Sequence, residues 1–268
     1  MKNFMIFVDG SNLVGSMDKM NLRIPDYGEF FKFIFSAAHT HWDKHIPRIG
    51  TNSSDAQLVR VYWYTLGTMD EWDFKHPNTI TALQDLYKAN PDLKSKYLLE
   101  VGKKRPTSTQ CDKESEAWNV FLSDIETWYG KKKESLNNLR KFQHALKTNN
   151  DFIDVVECGH WKVDMMGRHV MEKGVDTTLA VDIVRLADYY DVAIVISGDA
   201  DTIPSIEHAK RVGKHCAIVE FLKGHPPESR GRQMASKLRT VSDFVVQIYE
   251  TDLTSKKLAN AASHCSTP

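Results

Sequence analysis

Phe4-Met5-Ile6-Phe7-Val8-Asp9-Gly10-Ser11-Asn12 is the stretch on which the reading of this chain turns. Its five apolar residues predict a short buried strand. Asp9-Gly10-Ser11-Asn12 closes the strand with residue types that favour turns.

Working outward from that strand, the spacing predicts a helix over 27–39, a Val/Tyr/Trp-rich strand over 57–65 and a helix over 72–90 carrying Ile80, Leu83, Leu86 and Tyr87. From about 94 to 150 the pattern loosens. Lys103-Lys104-Arg105-Pro106 precedes a helical stretch over 118–128, and Lys131-Lys132-Lys133 precedes another that ends near 147. We read this middle segment as a helical insertion or lid. Order returns with a strand over 153–158, a helix over 176–190 and a strand over 192–197. A helix over 204–212 follows, with Gly213 placed to end it, and then strands over 216–221 and 244–249.

Alternating strands and helices imply a three-layer α/β/α fold around a mainly parallel, Rossmann-like sheet. The organisation expected is a single domain over 1–250, interrupted at about 94–150, with a flexible tail over 251–268. No internal repeat is visible.

In open sheets of this kind ligands bind outside the carboxyl ends of the strands. Two sharp polar motifs fall there. One is Asp9-Gly10-Ser11-Asn12. The other, Ser197-Gly198-Asp199-Ala200-Asp201, follows the apolar run 192–196. Each has a plainer reading. The first is a turn, and in the second Asp201 or Thr202 caps the helix whose first turn holds Pro204. Between them lies Lys173-Gly174-Val175-Asp176, where Asp176 is a cap candidate too. Leu179, Ile183, Leu186 and Tyr190 form the buried stripe of the helix that follows, and Asp176 projects onto the same face at its leading end. Asp182 borders that stripe, placed either to reach the crevice or to face solvent.

Carboxylates gathered in one crevice repel one another unless a cation neutralises them. Hard oxygen ligands favour magnesium or manganese over zinc. Such ions activate water and stabilise the charge that develops on a phosphodiester.

With this order and spacing the motifs resemble the NYN branch of the PIN-like nucleases, in particular its LabA-like members. The resemblance rests on Phe7-Val8-Asp9-Gly10-Ser11-Asn12, on Lys173-Gly174-Val175-Asp176 with Leu179-Ala180-Val181-Asp182, and on Ser197-Gly198-Asp199-Ala200-Asp201. It implies a PIN-like fold and a Mg2+- or Mn2+-dependent ribonuclease. Asp9, Asp176 and Asp199 would be metal-binding carboxylates, Asn12 a polar partner orienting water or phosphate, and Asp201 and Asp182 supporting acids. RNA is the substrate the resemblance implies, with DNA and a homodimer left open. Ala200 stands where the family commonly has Gly and Thr202 where it commonly has an aromatic; the middle third matches poorly.

The chain of 268 residues carries 35 basic and 35 acidic side chains, so a polyanion site must be local. Ser11, Ser197, Lys173, Arg230 and Arg232 are the expected nucleic-acid contacts. Lys223, His225 and Lys237 lie near them in sequence, and Trp118, Trp128 and Trp161 are candidates either for stacking or for the core. Four scattered cysteines form no zinc motif and suit a reducing cytoplasm. No leader or membrane-length apolar run is expected.

Competing readings fare less well. Leu13 stands where a DxSxS adhesion motif needs its second serine, and Ser11 stands where a haloacid-dehalogenase-type phosphatase needs a second aspartate. The remaining alternative is an inactive PIN-like module that binds RNA or protein.

Overall fold

The computed structural model describes residues 1–45, 55–107, 109–227 and 236–262. The chain opens with β1 (Lys2–Asp9), α1 (Gly10–Lys19), β2 (Leu22–Arg23), α2 (Tyr27–His45) and β3 (Ala56–Met69). Three helices follow: α3 (Pro77–Lys88), α4 (Pro91–Lys104) and α5 (Gln110–Thr148). The hairpin strands β4 (Ile153–Asp164) and β5 (His169–Lys173) lead to α6 (Val175–Arg185), β6 (Val192–Ile196), α7 (Ile203–Arg211) and β7 (His215–Leu222). The chain closes with α8 (Ser236–Val241), β8 (Phe244–Tyr249), α9 (Glu250–Ser255) and β9 (Asn260–Ala261).

Two compact units divide these elements. Unit 1 comprises Met1–Thr65, Phe142–Gly159 and Gly174–Pro268, and unit 2 comprises Leu66–Lys141 and His160–Lys173. Unit 2 takes up most of the segment expected as an insertion, together with residues on either side of it.

In unit 1 the strand order is β4-β3-β1-β6-β7-β8. β1 runs parallel to both β3 and β6, β6 to β7, and β7 to β8. β1 shows why the apolar run is unbroken. Phe4, Ile6 and Val8 enter one core with α1 and α2, while Met5 and Phe7 enter a second core with α6 and α7. A strand covered on both faces has no side free for polar residues. β6 repeats the division, with Val192, Ile194 and Ile196 on the first face and Ala193 and Val195 on the second. The three-layer α/β/α architecture with a mainly parallel sheet is therefore the observed one.

Unit 2 has its own core, in which Leu83, Tyr97, Val101, Phe121 and Ile125 are buried. Pro77 and Pro91 stand in the first turns of α3 and α4, where a missing N–H costs nothing, and Asn90 caps α4 through the Leu93 N–H at 3.1 Å. The two helical stretches expected within 110–148 are one helix, since that span contains no proline and only Gly130 weakens it. Trp118, Trp128 and Trp161 pack against this core.

The sequence also predicts a loose tail from 251. Instead α9 buries Leu253, Ala259 is buried after it, and β9 pairs antiparallel with β2. Only Leu253 and Ala259 are buried apolar residues in this segment, too sparse a pattern to read as an element. Residues 263–268 lie outside the described residues.

Candidate functional site

The four principal carboxylates belong to unit 1, with Asp9, Asp199 and Asp201 at or just beyond the carboxyl ends of β1 and β6 and Asp176 in the first turn of α6. Asp9 ends β1 and caps α1. Its Oδ1 accepts the Asn12 backbone N–H at 2.9 Å and the Ser11 hydroxyl at 2.8 Å, which fixes a buried carboxylate in one orientation. Gly10 serves close approach more than turning. A Cβ there would lie 2.5 Å from the indole nitrogen of Trp63. Asn12, buried in the first turn of α1, borders a small cavity of about 20 Å3 together with Ser16, Ser197 and Glu220. That is room for a single water, with Ile196, Val219 and Phe221 closing the apolar side.

At the end of β6, Ser197 Oγ accepts the Asp199 N–H at 3.2 Å, and Asp199 Oδ1 accepts the Asp201 N–H at 3.0 Å. The sequence suggests Asp201 or Thr202 as the cap. Asp199 is the cap of the short 3-10 turn Ala200–Thr202, and Thr202 makes no side-chain cap bond to α7. The turn inserted before the helix moves the capping position two residues upstream of where a simple helix start would place it. Asp9 and Asp199 are thus held alike, each by one oxygen on a backbone N–H.

Asp176 is not a cap. Gly174 occupies that position with φ of 94°, a left-handed conformation that favours glycine, and Asp176 sits in the first turn of α6. Burial first, and then the charges of Asp9, Asp199 and Asp201, push its carboxyl above the ordinary carboxylate value. Residues 9, 176, 199 and 201 therefore share one electrostatic neighbourhood, although they come from separate parts of the chain.

Asp182 behaves otherwise. It is buried, accepts the Tyr64 hydroxyl at 3.0 Å and pairs with Arg185 at 2.9 Å. It ties α6 to β3.

Sequence reading missed Glu220, a buried carboxylate within β7 that is bonded by Arg239 and Gln247. A lone glutamate in an apolar strand was the available signal. Lys173 belongs to unit 2, exposed and paired with His160 across the β4–β5 hairpin. Arg230 and Arg232 lie outside the described residues.

The donor set is all carboxylate oxygen, which fits a hard divalent cation. Among the described residues, no group of three or more His, Cys, Asp or Glu side chains is drawn tightly enough together to hold a metal ion. A magnesium-like ion that retains several waters needs only one or two direct carboxylates.

Residues 122–236 match the family model described as the NYN domain. That part of the chain is similar to an NYN domain. The matched span holds Asp176, Asp199 and Asp201, and NYN domains are part of the PIN-like superfamily, in agreement with the α/β/α layering. No curated protein matches the chain. Among solved structures it is similar to a protein of unknown function from Vibrio parahaemolyticus, 14% identical, with 93% of this chain and 94% of that one covered and a TM-score of 0.43.

Proposed function

We propose that this NYN-domain protein, of the LabA-like branch, is a divalent-metal-dependent nuclease that hydrolyses phosphodiester bonds in RNA. The family is generally one of PIN-like nucleases. The observation that carries the proposal is Asp176, whose proton affinity is raised by burial and by Asp9, Asp199 and Asp201 together. A mere scaffold has no use for such an arrangement, since it costs folding free energy at neutral pH.

Asp9, Asp176 and Asp199 would hold Mg2+ or Mn2+, which when bound supplies a Lewis acid and a water of lowered pKa. The chain's own contribution is positional. Ser11 and the Asn12 N–H orient Asp9, and the Asp201 N–H orients Asp199. Asn12 stands beside the small cavity, where it can direct a water or a phosphate oxygen. Asp182, fixed by Tyr64, keeps α6 and hence Asp176 at the sheet edge. Among the described residues no helix is long and apolar enough to cross a membrane. Together with free Cys111, Cys158 and Cys216, this supports our placing the protein in the cytoplasm.

Incubation of the protein with single-stranded RNA and manganese tests this reading. Wild type should cleave, and Asp9→Asn, Asp176→Asn and Asp199→Asn should each lose about 100-fold or more in rate. Cleavage that survives all three substitutions would sink the site, whereas RNA binding without cleavage by the wild type would favour a non-catalytic module.

A further inference from the structure

Alongside the carboxylates, between α6 and α7, unit 1 contains a cleft of about 630 Å3. Small-molecule sites occupy roughly 300–1,000 Å3, so one nucleotide fits with room to spare. Asp176, from the first turn of α6, and Asp201, from the 3-10 turn just before α7, line it together with Arg185 and His208 from the last turns of the two helices. From Asp176 to Arg185 the helix rises about 13 Å. Val181, Val184 and Pro204 supply the wall between, and the two valines remain 55% and 37% exposed.

This gradation matches the parts of a nucleotide. The acidic end belongs to the cleavage site, where a cation would meet the reacting phosphate. An aliphatic wall with an exposed imidazole suits the flat face of an unstacked base, because histidine is among the side chains on which RNA bases stack. Arg185 forms an ion pair with Asp182 through one terminal nitrogen, and a guanidinium has five N–H donors, so others are left for a phosphate. No aromatic ring besides His208 lines the cleft among the described residues, which makes this side chain the one on which a base would stack.

We propose that the α6–α7 cleft is the subsite for the RNA nucleotide flanking the cleaved phosphodiester, with its base on His208 and the aliphatic wall and its far phosphate at Arg185. The placement of a cleaved phosphate at the acidic end rests on the nuclease reading above; occupation of the cleft by a nucleotide is tested independently of cleavage.

The experiment is equilibrium binding of a labelled short single-stranded oligoribonucleotide to the full chain, followed by fluorescence anisotropy with calcium in place of manganese. The variants are His208→Ala and Val181→Asp, both at exposed positions, and Val212→Asp serves as a control at an exposed valine outside the cleft. Stacking of one base accounts for roughly 1–3 kcal/mol, so both cleft variants should weaken binding by about 10-fold with the melting temperature unchanged, and the control should bind as wild type does. RNA binding left intact by both cleft variants would overturn the subsite, as would a wild type that does not bind RNA at all. Manganese-dependent cleavage by the same samples reports on the nuclease reading separately. If the cleft variants lose affinity while wild type never cleaves, the nucleotide site stands and catalysis falls; if affinity is unchanged while Asp176→Asn abolishes cleavage, catalysis stands and the subsite falls.

Discussion

Asp176 is where burial and charge meet in this molecule. Its folded pKa lies above the unfolded one, so the carboxyl adds stability below the unfolded value, and that contribution is lost as pH rises through the raised pKa. In metal-free buffer Asp176→Asn should therefore melt about 1–2 °C above wild type at pH 7, a small gain because the group is partly exposed and screened. The difference should vanish near pH 3. Calorimetry across that range checks it, and an Asn variant less stable at neutral pH would contradict the repulsion. Gly10 presents the opposite case. Alanine is the better helix former by about 1 kcal/mol, but its Cβ would collide with Trp63, which is packed edge-on against Tyr27 and Phe31. Net destabilisation of about 1–3 kcal/mol is expected, read as a lower denaturant midpoint at unchanged slope. Cys216 is buried and its thiol pushed up to about 12 by desolvation, whereas Cys111 is exposed. Mass spectrometry after mild alkylation should find Cys111 modified and Cys216 protected until the protein unfolds.

At the scale of elements, the hydrogen bonds that anchor α6 and α8 matter more than helix propensity. Tyr64→Phe removes the hydroxyl bonded to Asp182, which is left buried with Arg185, and should cost about 1–3 kcal/mol. Because the substitution removes no proposed metal ligand, cleavage should fall far less than with Asp9→Asn, and a Tyr64→Phe enzyme as dead as Asp9→Asn would place Asp182 in the catalytic machinery after all. On β7 the side chain of Glu220 is only 1% exposed and is met by Arg239 from α8. Arg239→Met strands that carboxylate and should destabilise by about 3–5 kcal/mol, more than Glu220→Gln, which leaves the guanidinium near solvent. Urea denaturation of the two variants orders them.

Across the whole molecule, acidic and basic residues balance at 35 each, so no general field draws in a polyanion. Binding of single-stranded RNA should accordingly respond weakly to salt. With two or three phosphates neutralised, the logarithmic slope would be about −1.4 to −2.1, and a much steeper slope would reveal a basic track outside the residues discussed. Bound manganese should stabilise by mass action, by about 2.7 kcal/mol at a hundredfold excess over its dissociation constant, and this increment should disappear in Asp9→Asn.

Much was legible along the chain because it depends on near neighbours. The apolar runs of β1 and β6, the alternation of strands with helices and the polar motifs closing those strands are properties of consecutive residues, and they sufficed for the α/β/α layering and for the positions of Asp9, Asp176 and Asp199. Tertiary structure alone decided what those residues face: that Asp176 feels Asp9, Asp199 and Asp201 while Asp182 is spent on Tyr64, that Gly10 yields to Trp63, that Asp199 rather than Asp201 makes the cap, and that 66–141 with 160–173 form a unit of their own. Coulomb forces, steric contact and burial act through space, between residues whose separation along the chain says nothing of their distance in the fold.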